Sequence, residues 1–373
     1  MIYFDNSATS WPKPDRVYRG VYEFMKKYGA NPGRSSYYMS QKSSSMVYQC
    51  REVIADYFGI KDCSKIVFTK NATEALNIII KGVLKPGDHA ITTSMEHNSV
   101  LRPLDKMSSI GVKFDIVNGD ERGIINPDDI ERKIKPNTKL IIVNHVSNVC
   151  GTVQDINTMC DMAHNHNVLF AVDAAQSAGL LKIYSKCDFI ATAGHKGLYG
   201  PMGTGILCIN NDIILDSLSE GGTGSYSELT TQPFELPDRL ESGTLNAPGI
   251  IGLCEGIKFV RIVGIDAIFS HEMELAKYFI EGLNSIKNIK IYGINGLNNR
   301  VGVISFNKIG YDCVTFSQML NDKFNIASRA GFHCAYTAHK TIGSSDGGTL
   351  RFSFGKFNTK DEVSKALYAI NML

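Results

Sequence analysis

Short apolar runs alternate with amphipathic stretches through the first 250 residues of the chain. The runs read as strands at 65–69, 89–93, 113–117, 139–143, 168–172, 189–192 and 205–209. Between them, helical spacing of apolar positions marks 73–81, 99–109, 127–134 and 155–165. Asn126-Pro127-Asp128-Asp129 reads as a helix start: a cap residue, proline in the first turn, then acids at the positive helix end. This alternation predicts an α/β fold with a mostly parallel seven-stranded sheet covered on both faces by helices. Ligands of such sheets collect at the carboxyl ends of the strands.

Beyond residue 250 the pattern changes. Two long helical stretches at 249–263 and 266–284 lead into strand-like segments at 290–292, 301–306 and 349–354. Thr359-Lys360-Asp361-Glu362 is a capping box that opens a final helix. The expected organisation is a large domain over 15–250 and a smaller α+β domain over 251–373, joined by the N-terminal segment 1–14. With no repeat or low-complexity linker, the two are expected to pack closely.

Composition narrows the function classes. Of 373 residues, 43% are hydrophobic and 20% charged, the balance of a soluble globular protein. A net charge of +2 without any basic run interleaved with aromatics argues against nucleic acid as a partner. No apolar stretch is long enough to cross a bilayer, and Met1-Ile2-Tyr3-Phe4-Asp5 lacks the basic and apolar regions of a signal peptide, so a cytoplasmic location without membrane contact is expected. Nine cysteines, none in a Cys-x-x-Cys pair, fit neither a disulfide framework nor a zinc site, and no metal is expected.

The chemistry-bearing residues sit just past predicted strand ends. Lys196, in Ala193-Gly194-His195-Lys196-Gly197, is placed where partial desolvation lowers an amine's pKa and makes it a nucleophile. Asp173 and Gln176 end the preceding strand, where a carboxylate can face the ring nitrogen of pyridoxal phosphate and keep it protonated. Asn71-Ala72-Thr73-Glu74 opens a helix whose N–H groups and Thr73 hydroxyl suit an anion, or simply cap the helix. His97 can stack, neutral, on an aromatic cofactor or serve as a loop residue. Arg351 lies in a strand among apolar residues and needs a partner: a substrate carboxylate or an internal acid. Cys334 follows Gly331-Phe332-His333 in a loop-like segment, where Arg329 and His333 would favour the thiolate.

Taken together, these motifs resemble the class V aminotransferase family, within it the cysteine desulfurases and selenocysteine lyases, from Tyr3-Phe4-Asp5-Asn6-Ser7-Ala8-Thr9 to Arg351-Phe352-Ser353-Phe354-Gly355. The resemblance implies fold type I of the pyridoxal phosphate enzymes, like aspartate aminotransferase. It implies that Lys196 carries pyridoxal 5'-phosphate, Asp173 pairs with its ring nitrogen, and Gln176 bonds its phenolic oxygen. His97 would stack on the ring, with Thr73 and His195 on the phosphate and the neighbouring Ala72 in the same cofactor loop. Thr244, in Glu241-Ser242-Gly243-Thr244, would reach the cofactor of a partner subunit, implying a homodimer. Asn148, Arg351 and Arg329 would bind substrate. Arg329-x-Gly-x-His333-Cys334-Ala335 resembles the compact catalytic-cysteine loop of the Suf-type group. The implied activity converts L-cysteine to L-alanine, leaving a persulfide on Cys334 for an acceptor protein or small thiol, as in iron–sulfur cluster assembly. Selenocysteine lyase, cysteine sulfinate desulfinase and, more remotely, class V transaminase remain alternatives on the same fold. Ala72, Ala193 and Tyr37 depart from the family pattern, as does the absence of an N-terminal extension ahead of Asp5-Asn6. Ala72 and Ala193 stand where hydroxyl residues usually face the phosphate.

Overall fold

The computed structural model describes residues 1–373 apart from Arg34, Ser185 and Tyr226. Its first strand, β1 (Ile2–Tyr3), is followed by two helices, α1 (Asp15–Lys27) and α2 (Tyr38–Phe58). A central sheet is then laid down as β2 (Ile66–Thr69), β3 (His89–Thr93), β4 (Lys113–Val117), β5 (Thr138–Asn144), β6 (Leu169–Asp173), β7 (Phe189–Ala193) and β8 (Gly205–Ile209). Helices α3 (Ala72–Val83), α4 (Asn98–Ser108), α5 (Pro127–Glu131) and α6 (Ile156–Asn165) fill the early crossovers. Asn126 caps α5 through Asp128 N–H, with proline in the first turn, as the sequence indicates. The helix stops at Glu131 rather than running to 134.

The seven strands lie in the order β2-β8-β7-β6-β5-β3-β4. All neighbours pair in parallel except β8, which is antiparallel to both β2 and β7. Successive strand residues face opposite sides, and each side has its own core. Val67, Leu140, Ile142, Ala171, Ala191 and Leu207 pack under Leu76, Ile79 and Leu104 of α3 and α4. Phe68, Ile141, Val143, Phe170, Val172 and Ile190 pack under Ile54, Met159 and Leu253 on the other side. Because β8 alone is reversed, the carboxyl ends of the other six strands share one edge, and the loops that leave β2, β3, β5, β6 and β7 there converge on one site.

The rest of the chain forms α7 (Ala247–Val263), α8 (Ile265–Asn284), β9 (Ile289–Tyr292), β10 (Val303–Lys308), α9 (Cys313–Phe324), β11 (Ile326–Ala327), β12 (Arg329–Gly331), α10 (Tyr336–Thr341), β13 (Thr349–Ser353) and α11 (Lys360–Met372). A smaller antiparallel sheet, β12-β13-β10-β9, packs on α8 and α11 through Phe279, Phe306, Phe352 and Ile370. Thr359 and Glu362 complete the capping box of α11. The N-terminal segment joins this layer: β1 pairs with β11, Asp5 bridges to Ser353, and Phe4 stacks on Phe352. Among the described residues no helix is long and apolar enough to cross a membrane.

Candidate active site

These five loops at the common strand edge surround a cavity of about 90 Å³, lined by Thr73, His97, Asn148, Asp173, Gln176 and Lys196 among others. Ala72 and His195 also line it. Sheet register brings the acid and the amine together. Asp173 ends β6 opposite Asn144 of β5 and Ala191 of β7, and Lys196 follows β7 by three residues. The turn that carries Lys196 is pressed against Gly179, where a Cβ would lie 2.0 Å from the Gly197 oxygen, so only glycine admits that approach. A Cβ on Gly205 would similarly stand 2.5 Å from the Asn71 backbone, which sits just ahead of α3.

Electrostatics differ sharply around the cavity. Burial pulls the Lys196 ammonium down to about 8, against the attraction of Asp173 and with repulsion from Arg351 and Arg329. Burial pushes the Asp173 carboxyl above its usual range, although Ala175 N–H donates to it at 2.9 Å and the Lys196 charge favours its ionised form. His97 is brought to about 4 by burial, then by the nearby Lys196 and arginines, so its ring is neutral at pH 7. Its Nδ1 accepts from Ser99 N–H at 3.1 Å, which leaves the ring proton on Nε2. Ser99 Oγ lies 2.8 Å from that nitrogen and 2.7 Å from Thr73 Oγ1, tying the ring to the start of α3. Asn71 caps α3 through Glu74 N–H at 2.9 Å, and first-turn residues Ala72 and Thr73 line the cavity at the positive helix end. Ala72, Ala175 and Ala193 form a small apolar patch of wall. The two family departures are thus neighbours, and the hydroxyls left on this side belong to Thr73 and Ser99.

Three buried polar atoms of the lining have no protein partner: Asn144 Oδ1, Asn148 Oδ1 and His195 Nδ1. Buried polar atoms are ordinarily satisfied, so these three are free to bond a ligand held in the cavity. An amine of lowered pKa, a buried acid, a neutral imidazole and a helix N-terminus are the set that pyridoxal phosphate requires: aldehyde partner, ring-nitrogen partner, ring support and phosphate seat.

The substrate side is less open. Arg351, 1% exposed, donates from Nη2 to Asp5 Oδ1 and from Nη1 to Asn148 O, both at 2.8 Å, and its Nε is unpartnered. Of the two readings of this residue, the ion pair is the one present. Asn148 Nδ2 in turn donates to His333 O at 2.8 Å, and Asn98 N–H donates to Cys334 O at 2.8 Å, so the cysteine turn is fastened to the cavity rim. His333 and Cys334 have φ of +47° and +59°, a left-handed pair that costs non-glycine residues roughly 1–3 kcal/mol each. Cys334 is exposed, with Arg329 Nη2 3.6 Å from its Sγ.

Four expectations need correction or separation. His333 supplies no positive charge to the thiol: burial drives it to about 2, and its Nε2 contacts Thr349 Oγ1 at 3.0 Å. Arg329, Cys334 and Arg351 stand outside the lining of the Lys196 cavity. Thr244 is apart within one chain, in a groove with Lys70, Glu74 and Asn246. Gln176 lines the cavity, but its Nε2 already donates to Ser7 O at 3.0 Å, leaving one amide hydrogen for a ligand.

Some of the site was invisible from local pattern. The His195 carbonyl accepts from Lys13 Nζ at 2.7 Å, Thr9 Oγ1 at 3.0 Å and Ser10 N–H at 3.1 Å, while Ser10 Oγ donates to Lys196 O at 2.9 Å. The N-terminal segment therefore clamps the backbone that presents Lys196. Glu96, fully buried beside Asp173, accepts from Thr93 Oγ1 at 2.6 Å and Asn144 N–H at 3.0 Å. Burial raises it to about 8, so it is mostly protonated at pH 7 and spares Asp173 a second negative neighbour.

The sequence model of the family described as Aminotransferase class-V matches residues 2–366. The chain belongs to that family. A probable cysteine desulfurase of Pyrococcus abyssi (strain GE5 / Orsay) is 37% identical over 385 residues, covering 100% of this chain and 94% of the relative. One from Methanothermobacter thermautotrophicus is 35% identical, covering 97% and 92%. Among solved structures, the apo cysteine desulfurase of Thermococcus onnurineus NA1 superposes with a TM-score of 0.93 at 35% identity, covering 100% of this chain and 94% of that one. The Escherichia coli cysteine desulfurase CsdA, in its S-sulfonic acid form, gives 0.88 at 27% identity, covering 99% and 94%. Members of this family are pyridoxal phosphate enzymes of fold type I, and this chain has that fold.

Proposed function

We propose that the protein is a pyridoxal phosphate-dependent cysteine desulfurase that converts L-cysteine to L-alanine and places the sulfur on Cys334. The observation that carries this reading is the pairing of Lys196 with Asp173 in one cavity, with the exposed Cys334 turn fastened to its rim by Asn98 and Asn148. Full-length similarity to relatives named cysteine desulfurases supports it. Bound pyridoxal phosphate would supply an electron-withdrawing ring conjugated to the substrate's Cα.

Lys196 would hold the cofactor, Asp173 would keep its ring nitrogen protonated, and the neutral His97 would lie on the ring face. Gln176 would donate to the phenolic oxygen. Thr73, His195 Nδ1 and the Ala72–Thr73 end of α3 would bind the phosphate, with Thr244 contributed by the partner subunit of a homodimer. Asn148 and Arg351 would bind the substrate carboxylate, with Arg351 sharing its charge between that group and Asp5. The Lys196 amine would take the Cα proton and return it. The Cys334 thiolate, beside the Arg329 guanidinium, attacks the substrate sulfur. The new S–S bond forms as the Cβ–S bond breaks, its electron pair stays with carbon, and a proton completes the alanine methyl group. The terminal sulfur then passes to an acceptor protein or a small thiol.

A second reading follows from the position of Cys334 outside the Lys196 cavity: release of selenium or sulfite from selenocysteine or cysteine sulfinate, which needs no thiol attack. One experiment separates the two. Purified protein loaded with pyridoxal phosphate is given L-cysteine, selenocysteine or cysteine sulfinate, and alanine is measured for wild type and Cys334→Ala. Loss of turnover on L-cysteine alone in the variant supports the desulfurase. Undiminished L-cysteine turnover in Cys334→Ala refutes it.

A further inference from the structure

Lys196 and Gln176 are walls of two spaces. On the side away from the cofactor cavity lies a second chamber of about 40 Å³, bounded also by Ser7, Tyr199 and Glu272. Glu272, on α8, is 7% exposed, and its carboxyl has no hydrogen bond or ion pair among the described residues. The charged group that acts on it is Lys356, from a distance beyond an ion pair. Tyr199 accepts from Lys356 N–H at 3.0 Å, which leaves the phenol proton free to donate, and the Glu272 charge opposes ionisation of that phenol. A buried carboxyl without a partner is costly unless water satisfies it. The chamber has room for a few waters, since roughly 10–15 Å³ of such volume holds one.

We propose that Glu272 anchors a chain of ordered waters in this chamber, through which the Lys196 amine exchanges its protons with solvent from behind the cofactor. The inference rests on Lys196 being the base of the proposed function, and it adds a proton path that the cofactor cavity does not need for binding. The carboxyl suits the task because burial raises it toward the range to which burial lowers the Lys196 amine, so it can both accept and return a proton near neutral pH. The proton leaves the Lys196 ammonium for the first water, a proton from the last water is taken up by the Glu272 carboxylate, and return runs in reverse. Glu272 is thus a positioning and relay residue, not one that touches substrate.

Two measurements test this. In D₂O, the cofactor-loaded enzyme is incubated with L-alanine and washout of the Cα proton is followed by NMR, a reading that needs no sulfur chemistry. Glu272→Gln should slow washout by at least about threefold, while alanine affinity and thermal midpoint stay near wild type and Glu272→Asp restores the rate. Unchanged washout in Glu272→Gln, or none by wild type, overturns the proposal. Separately, a crystal structure of the wild-type protein should show waters bonded to the Glu272 carboxyl and continuing to Lys196, and a dry chamber overturns it. If L-cysteine yields no alanine while washout still depends on Glu272, the desulfurase reading fails and the water path stands.

Discussion

Replacing Asp5 by asparagine isolates the charge that Arg351 depends on. Asparagine keeps an oxygen in reach of Nη2, so the 2.8 Å hydrogen bond survives and only the negative charge is lost. The guanidinium is 1% exposed and Asp5 21%, so the variant leaves a buried cation with only neutral oxygens, those of the new asparagine and the Asn148 carbonyl, facing it. Removing one partner of a buried pair costs about 3–5 kcal/mol, and the partial exposure of Asp5 argues for about 3. At roughly 2 °C per kcal/mol, the low end for large domains, the melting midpoint should fall by about 6 °C. If Arg351 also takes the substrate carboxylate, an added carboxylate restores what the variant lacks. Propionate, which has the carboxylate without the amine, should therefore raise the midpoint of Asp5→Asn more than that of wild type. The assay is thermal unfolding by intrinsic fluorescence across a propionate titration of the cofactor-loaded enzyme. A midpoint unchanged in Asp5→Asn would show that the pair contributes nothing. A fall that propionate does not reverse beyond the wild-type response would remove Arg351 from the substrate site.

Cofactor loading of the apoprotein should speed up with pH as the Lys196 amine loses its proton, levelling off above about 8 instead of near 10.5, as stopped-flow absorbance with pyridoxal phosphate would read. The sign follows from burial favouring the neutral amine. Glu241 bonds both Arg51 nitrogens at 2.8 Å and Phe68 N–H at 2.6 Å, so Glu241→Ala should lose about 3–5 kcal/mol in denaturant unfolding, with Arg51→Met added to it recovering part of that. Brief alkylation of the native protein should modify Cys334 first by peptide mass mapping, since it is the exposed thiol while Cys50, Cys150, Cys160, Cys187, Cys208, Cys254 and Cys313 are buried.

The central sheet was legible because most of its strands are short runs dominated by apolar and β-branched residues, and the observed boundaries differ by one residue at most. Strand order and the reversal of β8 were not, since they depend on which faces meet in space. Helix α2 escaped pattern reading because its inward face includes Ser40, Ser43 and Arg51. The serines are satisfied by Asn31 O and Ala30 O, and the arginine by Glu241. Helix α1 buries only Val17 and Phe24, too few to mark a stripe. The segment at 329–331 reads as loop, yet it is a strand held by β13 through an Arg329–Arg351 register pair. In the site, Lys196, Asp173, His97 and Thr73 were legible because each lies at or just past a strand end, whereas Asn148 came only with the family resemblance. Asp5, Lys13 and Ser10 were hidden because their partners lie more than 180 residues away in sequence. The arginine's need for a partner was readable, but the identity of that partner was not.

The central claim is that one amine, opposed by Asp173, carries the cofactor. Borohydride reduction of the pyridoxal phosphate-loaded enzyme, followed by digestion and mass spectrometry, tests it most directly. The account predicts a single phosphopyridoxyl group, on the peptide that contains Lys196. A label on Lys13 or any other lysine, with Lys196 unmodified, would contradict it.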